Sequence, residues 1–520
     1  MHGARAGMTG DGSGRRGVLP DRRARPAIWI GAIIVLTAIR LLVAALAPLA
    51  PDETYYWIWS RALAPGYLDH PPMVAVWIRA GTAIFGDTAL GIRLLGPLSA
   101  ALGSWLLADA ANRLLPHRGA GPLAAILLNA TLLMGVGSVI MTPDTPLIFF
   151  WTATIWAASR LAAPRSASAE TPAVANGLGW WLLTGAFAGL ALASKYTAVF
   201  LWCGIGAWLL LSPAMRPWLY RSAPWIASLL GGAMILPVLI WNADHGWAGL
   251  LRQGSRINDW QPERGMQFVA ELIGGQAGLA TPGLWALSLA GIVLAIRQAV
   301  RTRNPGWVLL ATLTVPPAVF FCQHAIGDRV QGNWPAILYP AAMIAAAGLT
   351  GPVWVRLLRP AVALGLGLTA LAYVQAVSHL LPIPTRLDPI ALRLAGWDGL
   401  ASQIDAVRRD TGASFVAVDQ YALASELTHG LSGEATVLGA ESRWALMDLP
   451  RADMQGRDGL LVRDMRHGDR LDPSVWVDGV LLGQASRVAR GTALERFNIF
   501  HVRVARAEDP ALVVLPRPRP

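Results

Sequence analysis

A succession of long apolar runs separated by short joints constrains this chain more than any other feature. The runs lie at 27–47, 90–115, 120–140, 145–161, 178–193, 196–212, 223–241, 281–298, 307–324, 333–350 and 360–381. Each approaches the roughly 20 residues an α-helix needs to cross a hydrocarbon core of about 30 Å. They predict a polytopic α-helical membrane protein with about 11 transmembrane helices. Composition agrees, since 54% of the 520 residues are apolar, only 14% are charged and mean hydropathy is +0.44. The net charge of +11 is carried almost wholly by arginine, with Lys195 the single lysine. Because the arginines are scattered among apolar runs and form no patch, no nucleic-acid partner is expected. Cys203 and Cys322 both fall inside apolar runs and carry no disulfide or zinc signal.

Arginine placement orients the chain, because cytoplasmic loops are the basic ones. Residues 1–25 hold six arginines and no apolar periodicity, and are expected to form a disordered cytoplasmic tail. The inner loops then carry Arg113 and Arg118, Arg160 and Arg165, Arg216 and Arg221, Arg297, Arg301 and Arg303, and Arg356 and Arg359. The outer segments carry acids: Asp52 and Glu53, Asp144, Asp244, Asp259, Glu263 and Glu271, and Asp328. The first run lacks a small-residue cleavage site and is taken as a retained helix. Residues 26–385 form the transmembrane domain, with a first outer loop at 48–88 in which Met73–Phe85 is too short to span. Residues 386–520 have soluble composition and predict a small extracytoplasmic α/β domain. It is expected to contain an amphipathic helix at 388–410, a strand at Ser414–Val418, a helix at Tyr421–His429 and strands at Gly459–Val462 and Phe497–Val504. No glycine-rich phosphate loop stands at a strand-to-helix junction, which argues against a soluble nucleotide donor.

The densest cluster of reactive groups is Pro51–Pro72, directly after the first run. Acids at the edge of hydrocarbon are costly without partners or a task. Pro51 and Asp52 read as a helix start with Asp52 as cap, and Tyr56, Trp59 and Leu63 recur at helical spacing, predicting an aromatic helix lying flat at the interface. A cap needs one acid, whereas Glu53, Asp69 and His70 add further polar groups. One carboxylate of the Asp52–Glu53 pair therefore reads as a general base for an acceptor hydroxyl or amine. Asp52 is preferred, since Glu53 lies one helical step away and can orient the acceptor instead.

Other outer residues extend this site. Asp144, in Met141–Pro146, reads as a second acidic site or as a helix cap. Lys195 stands at an outer helix end, where an ammonium can meet a phosphate oxygen or simply snorkel. Arg252, Arg256 and Arg329 add outer positive charge, and Asn333 follows in Gly332–Pro335. Such a set suits an anionic lipid headgroup. His70, His245 and His324 with the outer acids leave a divalent metal open, but their spacing follows no ligand pattern, so no metal ligand is assigned and no cofactor is required.

The order Asp52-Glu53, Tyr55-Tyr56 and Gly66-Tyr67-Leu68-Asp69-His70-Pro71-Pro72 resembles the GT-C superfamily of membrane glycosyltransferases. The likeness is to the bacterial branch related to protein O-mannosyltransferases and the lipid A aminoarabinose transferase. Thr142-Pro143-Asp144, Ser194-Lys195-Tyr196-Thr197, Gly332-Asn333-Trp334-Pro335 and Val416–Tyr421 extend it, more weakly. The resemblance implies a polyprenyl-phosphate sugar as donor and inverting transfer to a lipid, glycan or protein acceptor at the outer face of the bacterial inner membrane. It implies Asp52 or Glu53 as the base, and Lys195 and outer arginines such as Arg256 and Arg329, with Tyr55 and His70, around the donor phosphate. Asp69, Asp144 and Asn333 would then serve the acceptor or a secondary acidic site. Two rivals stand beside it: a transporter, which calls for polar groups at mid-membrane, and a non-catalytic polyprenyl-lipid-binding protein.

Overall fold

A computed structural model describes residues 26–115, 119–162, 173–255, 260–431, 435–451, 454–468, 470–505 and 512–518. The expected N-terminal tail and Arg256 lie outside these residues. Among the described residues, six helices are long and apolar enough to cross a membrane: Ile28–Leu46, Ala89–Leu114, Ser222–Asp244, Pro282–Thr302, Pro305–His324 and Pro352–Ser378. They coincide with six of the eleven runs. The 120–140 run breaks into Ala120–Asn129 and Leu132–Gly137, because the Thr131 hydroxyl accepts from Met134 N at 3.1 Å and starts a new helix. The 333–350 run opens as a 3₁₀ turn, Trp334–Leu338, with Pro335 in it, and continues as Tyr339–Ala346. Six of the eleven expected spans are thus helices of this kind, and the runs between them form shorter or broken apolar helices and the 19-residue helix Asp144–Ala162. Arg356 and Arg359, expected in an inner loop, lie inside Pro352–Ser378.

Small residues let the membrane helices touch backbone to backbone. A Cβ on Gly185 would sit 2.1 Å from the Ala227 carbonyl oxygen, and one on Gly231 would sit 2.4 Å from that of Gly185. Helices Ala173–Leu192 and Ser222–Asp244 meet along this stripe.

The aromatic residues of helix Pro51–Arg61, expected at an interface, are covered by protein: Tyr55, Tyr56, Trp57, Ile58 and Trp59 are all buried. Its partners are the helix Met73–Phe85 on one side and Tyr421–Gly430 of the C-terminal region on the other. One apolar cluster joins Trp57 and Trp59 to Val416, Leu427 and Trp444. The C-terminal region therefore shares its core with the first outer loop. The cap also differs from expectation: Ala50 is the N-cap, and Glu53, not Asp52, accepts from its backbone N at 2.9 Å.

The C-terminal region carries a six-stranded sheet in the order β4-β5-β3-β1-β2-β6, formed by β1 (Phe415–Val418), β2 (Thr436–Gly439), β3 (Asp458–Asp464), β4 (Trp476–Ala489), β5 (Thr492–Val504) and β6 (Val513–Val514). β1 pairs in parallel with β2 and β3, and the other pairs are antiparallel. The single helix expected at 388–410 is two, Pro389–Leu394 and Trp397–Thr411, because Gly396 takes a left-handed φ of 85° between them.

Glu426 is buried where this region meets the first outer loop, with the Thr54 hydroxyl donating to its carboxylate at 3.2 Å. Burial pushes its carboxyl up to about 8, with Glu53 adding to the shift. A folded-state pKa above the unfolded value means the native state keeps a proton the unfolded chain has released, so stability falls as pH rises from about 4.5 to about 8. Glu426→Gln is expected to flatten that fall and to be more stable than wild type at pH 8, by on the order of a few kcal/mol, as read from Tm across pH in detergent.

Candidate active site

The site is built outward from a buried ion pair. Glu53 is fully buried and its carboxylate is saturated. Arg93 Nε and Nη2 donate to it at 2.7 and 2.6 Å, Met141 N at 3.0 Å and Ala50 N at 2.9 Å. Arg93 in turn donates to the Ala44, Ala47 and Pro48 carbonyls at 3.2, 2.6 and 2.7 Å, groups left without partners by the end of the first helix. This corrects the expectation of Glu53 as a candidate base: its contacts are filled by structure, and it does not reach the cavity.

Asp52, one step along the same helix, does reach it. Asp52, Tyr55, Asp69, His70, Asp144, Arg329 and Asn333 all line one cavity of about 1030 Å³. Four segments far apart in sequence meet there: the first outer loop, the turn before Asp144, the stretch 328–334 and the C-terminal region. The mouth is polar and the depth is apolar, walled by Leu132, Leu133, Val136, Ile148, Phe149 and Leu279. Gly96 lines the cavity where its helix passes close to the Ser138 carbonyl, which a Cβ would meet at 2.8 Å.

The charges at the mouth are paired across elements. Arg393 Nη2 lies 3.3 Å from Asp52 Oδ2. Burial raises the Asp52 carboxyl above the usual range, Arg393 opposes the shift, and Glu53 and Asp69 add to it. Asp69 accepts from the Tyr55 hydroxyl at 2.9 Å and from Arg443 Nη1 at 3.1 Å, with Arg252 Nε at 3.9 Å. Arg443 also donates to Glu441 at 2.6 Å and lies 4.1 Å over the Tyr421 ring. Arg329 is held by Glu271, with Nε at 2.6 Å and Nη2 at 3.0 Å.

Lys195 corrects a second expectation. Its ammonium donates to both oxygens of Asp144, at 2.8 and 2.9 Å, it is 5% exposed, and it is not among the residues lining the cavity. Asn333 Nδ2 donates to the same carboxylate at 2.6 Å. Lys195 thus holds Asp144 at the wall. The three histidines do not converge: His70 is at the mouth, His245 stacks on Trp241 at 4.3 Å between centroids, and His324 faces Asp328 at 3.4 Å. Among the described residues no group of three or more His, Cys, Asp or Glu is placed to hold a metal ion.

Sequence reasoning missed Arg93, Arg393 and Arg443. Arg93 was absorbed into the apolar run 90–115, although a charge inside such a run demands a partner. Arg393 and Arg443 stand in soluble-looking sequence with no local signal.

Together these observations define a polytopic membrane protein with an amphipathic cavity closed over by a C-terminal α/β region. The model of the dolichyl-phosphate-mannose-protein mannosyltransferase family matches residues 69–241. The chain is 28% identical over 390 residues to a lipid A galacturonosyltransferase of Rhizobium johnstonii, covering 73% of this chain and 77% of that one. It is 26% identical over 387 residues to an undecaprenyl phosphate-alpha-4-amino-4-deoxy-L-arabinose arabinosyl transferase of Pseudomonas paraeruginosa, covering 67% of this chain and 65% of that one. Among solved structures, ArnT from Cupriavidus metallidurans, in the apo state and bound to undecaprenyl phosphate, shares the fold with TM-score 0.58 and 15% identity over 91% of this chain and 98% of that one. These likenesses all indicate a membrane glycosyltransferase of the GT-C kind, the family that the motifs after the first apolar run resemble.

Removing one partner of a buried pair strands the other charge, at about 3–5 kcal/mol. Arg93→Ala is therefore expected to lower the yield of monodisperse protein and its Tm sharply, while Arg113→Ala, at the exposed Asp109 pair, leaves both near wild type.

Proposed function

We propose that the protein transfers one sugar from a polyprenyl-phosphate donor to a lipid acceptor of the lipid A kind at the outer face of the bacterial inner membrane. The observation that carries this is one cavity of about 1030 Å³ with arginines and Asp52 at its mouth and an apolar depth. A polyprenyl phosphate is itself one charged group on a long apolar chain. The relatives named for galacturonosyl and aminoarabinosyl transfer act on lipid A and on an undecaprenyl-phosphate sugar by their names, and this chain is given the same donor class. Glycan and protein acceptors are the other classes the cavity mouth would admit.

In the proposed reaction the acceptor hydroxyl attacks the anomeric carbon while the bond from that carbon to the phosphate oxygen breaks. Asp52 takes the hydroxyl proton. Burial makes it a stronger base than a free aspartate. The arginines at the mouth stabilise the charge that grows on the leaving phosphate. One displacement with one base inverts the anomeric centre. Asp69 and the Lys195-held Asp144 are placed to receive acceptor hydroxyls. No resident cofactor is required in this reading, and turnover is expected to survive a chelator. The proposed topology has a cytoplasmic N-terminus, eleven apolar segments counted with the short and broken ones, and residues 386–520 outside the cytoplasm.

The test is purified protein with an undecaprenyl-phosphate sugar and lipid A, followed by mass spectrometry of the product. Asp52→Asn is expected to lower kcat by about 10²–10⁴. The acid limb of the wild-type pH profile is expected above the pH at which a free aspartate titrates, because activity is lost as pH falls through the raised pKa of Asp52. Equal turnover in Asp52→Asn and wild type would sink the base assignment.

A further inference from the structure

Four arginines line the cavity mouth, and they are not equally held. Arg443 is bound to Asp69, Tyr55 and Glu441 and stacked on Tyr421. Arg329 makes two bonds to Glu271, and Arg252 stands beside Asp69. The Arg393 guanidinium has one partner among the described residues, Asp52, and its side chain is 69% exposed.

Its backbone, by contrast, is fixed. Asp388 caps the short helix Pro389–Leu394 by accepting from Ile390 N and Ala391 N at 3.0 and 3.1 Å, and Gln375 of the last membrane helix bonds to Asp388. Arg487 Nη2 holds the Leu392 carbonyl at 2.9 Å. An exposed guanidinium on an anchored stem therefore stands 3.3 Å from the one carboxylate that the proposed reaction uses as base.

We infer that Arg393 is a further catalytic residue, a cation that moves from Asp52 to the donor phosphate and thereby couples donor arrival to release of the base. This rests on the function proposed above. An exposed ion pair is weak, whereas a guanidinium on a phosphate makes a planar, two-bond contact of greater strength. The exchange is thus downhill once a phosphate enters. The freed Asp52 keeps the burial that strengthens it as a base and loses the cation that weakened it. It then accepts the proton of the acceptor hydroxyl as the new bond to the anomeric carbon forms. The electron pair of the broken carbon–oxygen bond stays on the phosphate, whose charge goes from −1 to −2 beside Arg393. When the polyprenyl phosphate leaves and Asp52 gives its proton to water, the Arg393–Asp52 pair re-forms.

The coupling has a signature that simple charge attraction lacks. In purified protein in lipid nanodiscs, binding of undecaprenyl phosphate is measured for wild type, Asp52→Asn, Arg393→Ala, Arg393→Lys and the double variant Asp52→Asn/Arg393→Ala. Asp52→Asn is expected to tighten binding by up to about fivefold, because Arg393 no longer has a competing carboxylate. Arg393→Ala is expected to weaken it about tenfold or more and to lower kcat, with Arg393→Lys restoring part of both. The tightening is expected to vanish in the Arg393→Ala background. Equal tightening with and without Arg393, or wild-type binding and turnover in Arg393→Ala, would overturn the inference and leave the proposed function standing. Wild type that neither binds undecaprenyl phosphate nor transfers a sugar would overturn the proposed function, and the inference with it.

Discussion

Everything at the cavity mouth hangs from the Glu53–Arg93 pair. Two charges with 0% and 1% of their side chains exposed are costly to bury, and they are tolerated because each lone pair and proton that points inward has a partner. Those partners are backbone groups of three different segments: the carbonyls at the end of the first membrane helix, the amide of Ala50 and the amide of Met141. One pair thus ties the first helix to the start of Pro51–Arg61 and to the turn that carries Asp144. Asp52 is aimed into the cavity because its neighbour Glu53 is locked away from it.

The second consequence follows from the shared core. Trp57, Trp59 and Val416 belong to one apolar cluster, so the C-terminal region is seated on the first outer loop, and its arginines reach the acids of that loop. Arg393 meets Asp52 and Arg443 meets Asp69 across this seam. The membrane helices supply the apolar depth, the loops supply the acids, and the C-terminal region supplies much of the positive charge. A cavity of that make-up matches an amphiphile better than it matches a wholly polar or wholly apolar ligand.

How much was legible in the sequence depended on whether a residue's reason for being there was local. The acids after the first apolar run stood out because charge at the edge of hydrocarbon needs explanation, and the turn before Asp144 and the lone Lys195 stood out for similar reasons. Six of the runs became helices of spanning length because twenty apolar residues carry their own signal. What hid was pairing over distance: Arg93 lies 40 residues from Glu53, Arg393 lies 341 from Asp52 and Arg443 lies 374 from Asp69. Neither periodicity nor spacing encodes such contacts, and so Glu53 was given chemistry that its partners forbid, and Lys195 a phosphate where it has an aspartate. β4 hid for a different reason. Gly479 and Gly483 interrupt its alternation, and most of it is exposed at the sheet edge.

The cavity beneath Asp52 is proposed as the seat of a polyprenyl phosphate. The most direct measurement is photo-crosslinking with a polyprenyl phosphate that carries a photoreactive group on its chain, followed by peptide mass spectrometry. Adducts on the cavity wall, at Leu132–Val136, Phe149 and Leu279, are the predicted result. A second, smaller groove lined by Leu289, Val293 and Trp354 offers the contrast. Adducts confined to that groove, with the cavity wall unlabelled, would rule the cavity out as the polyprenyl site.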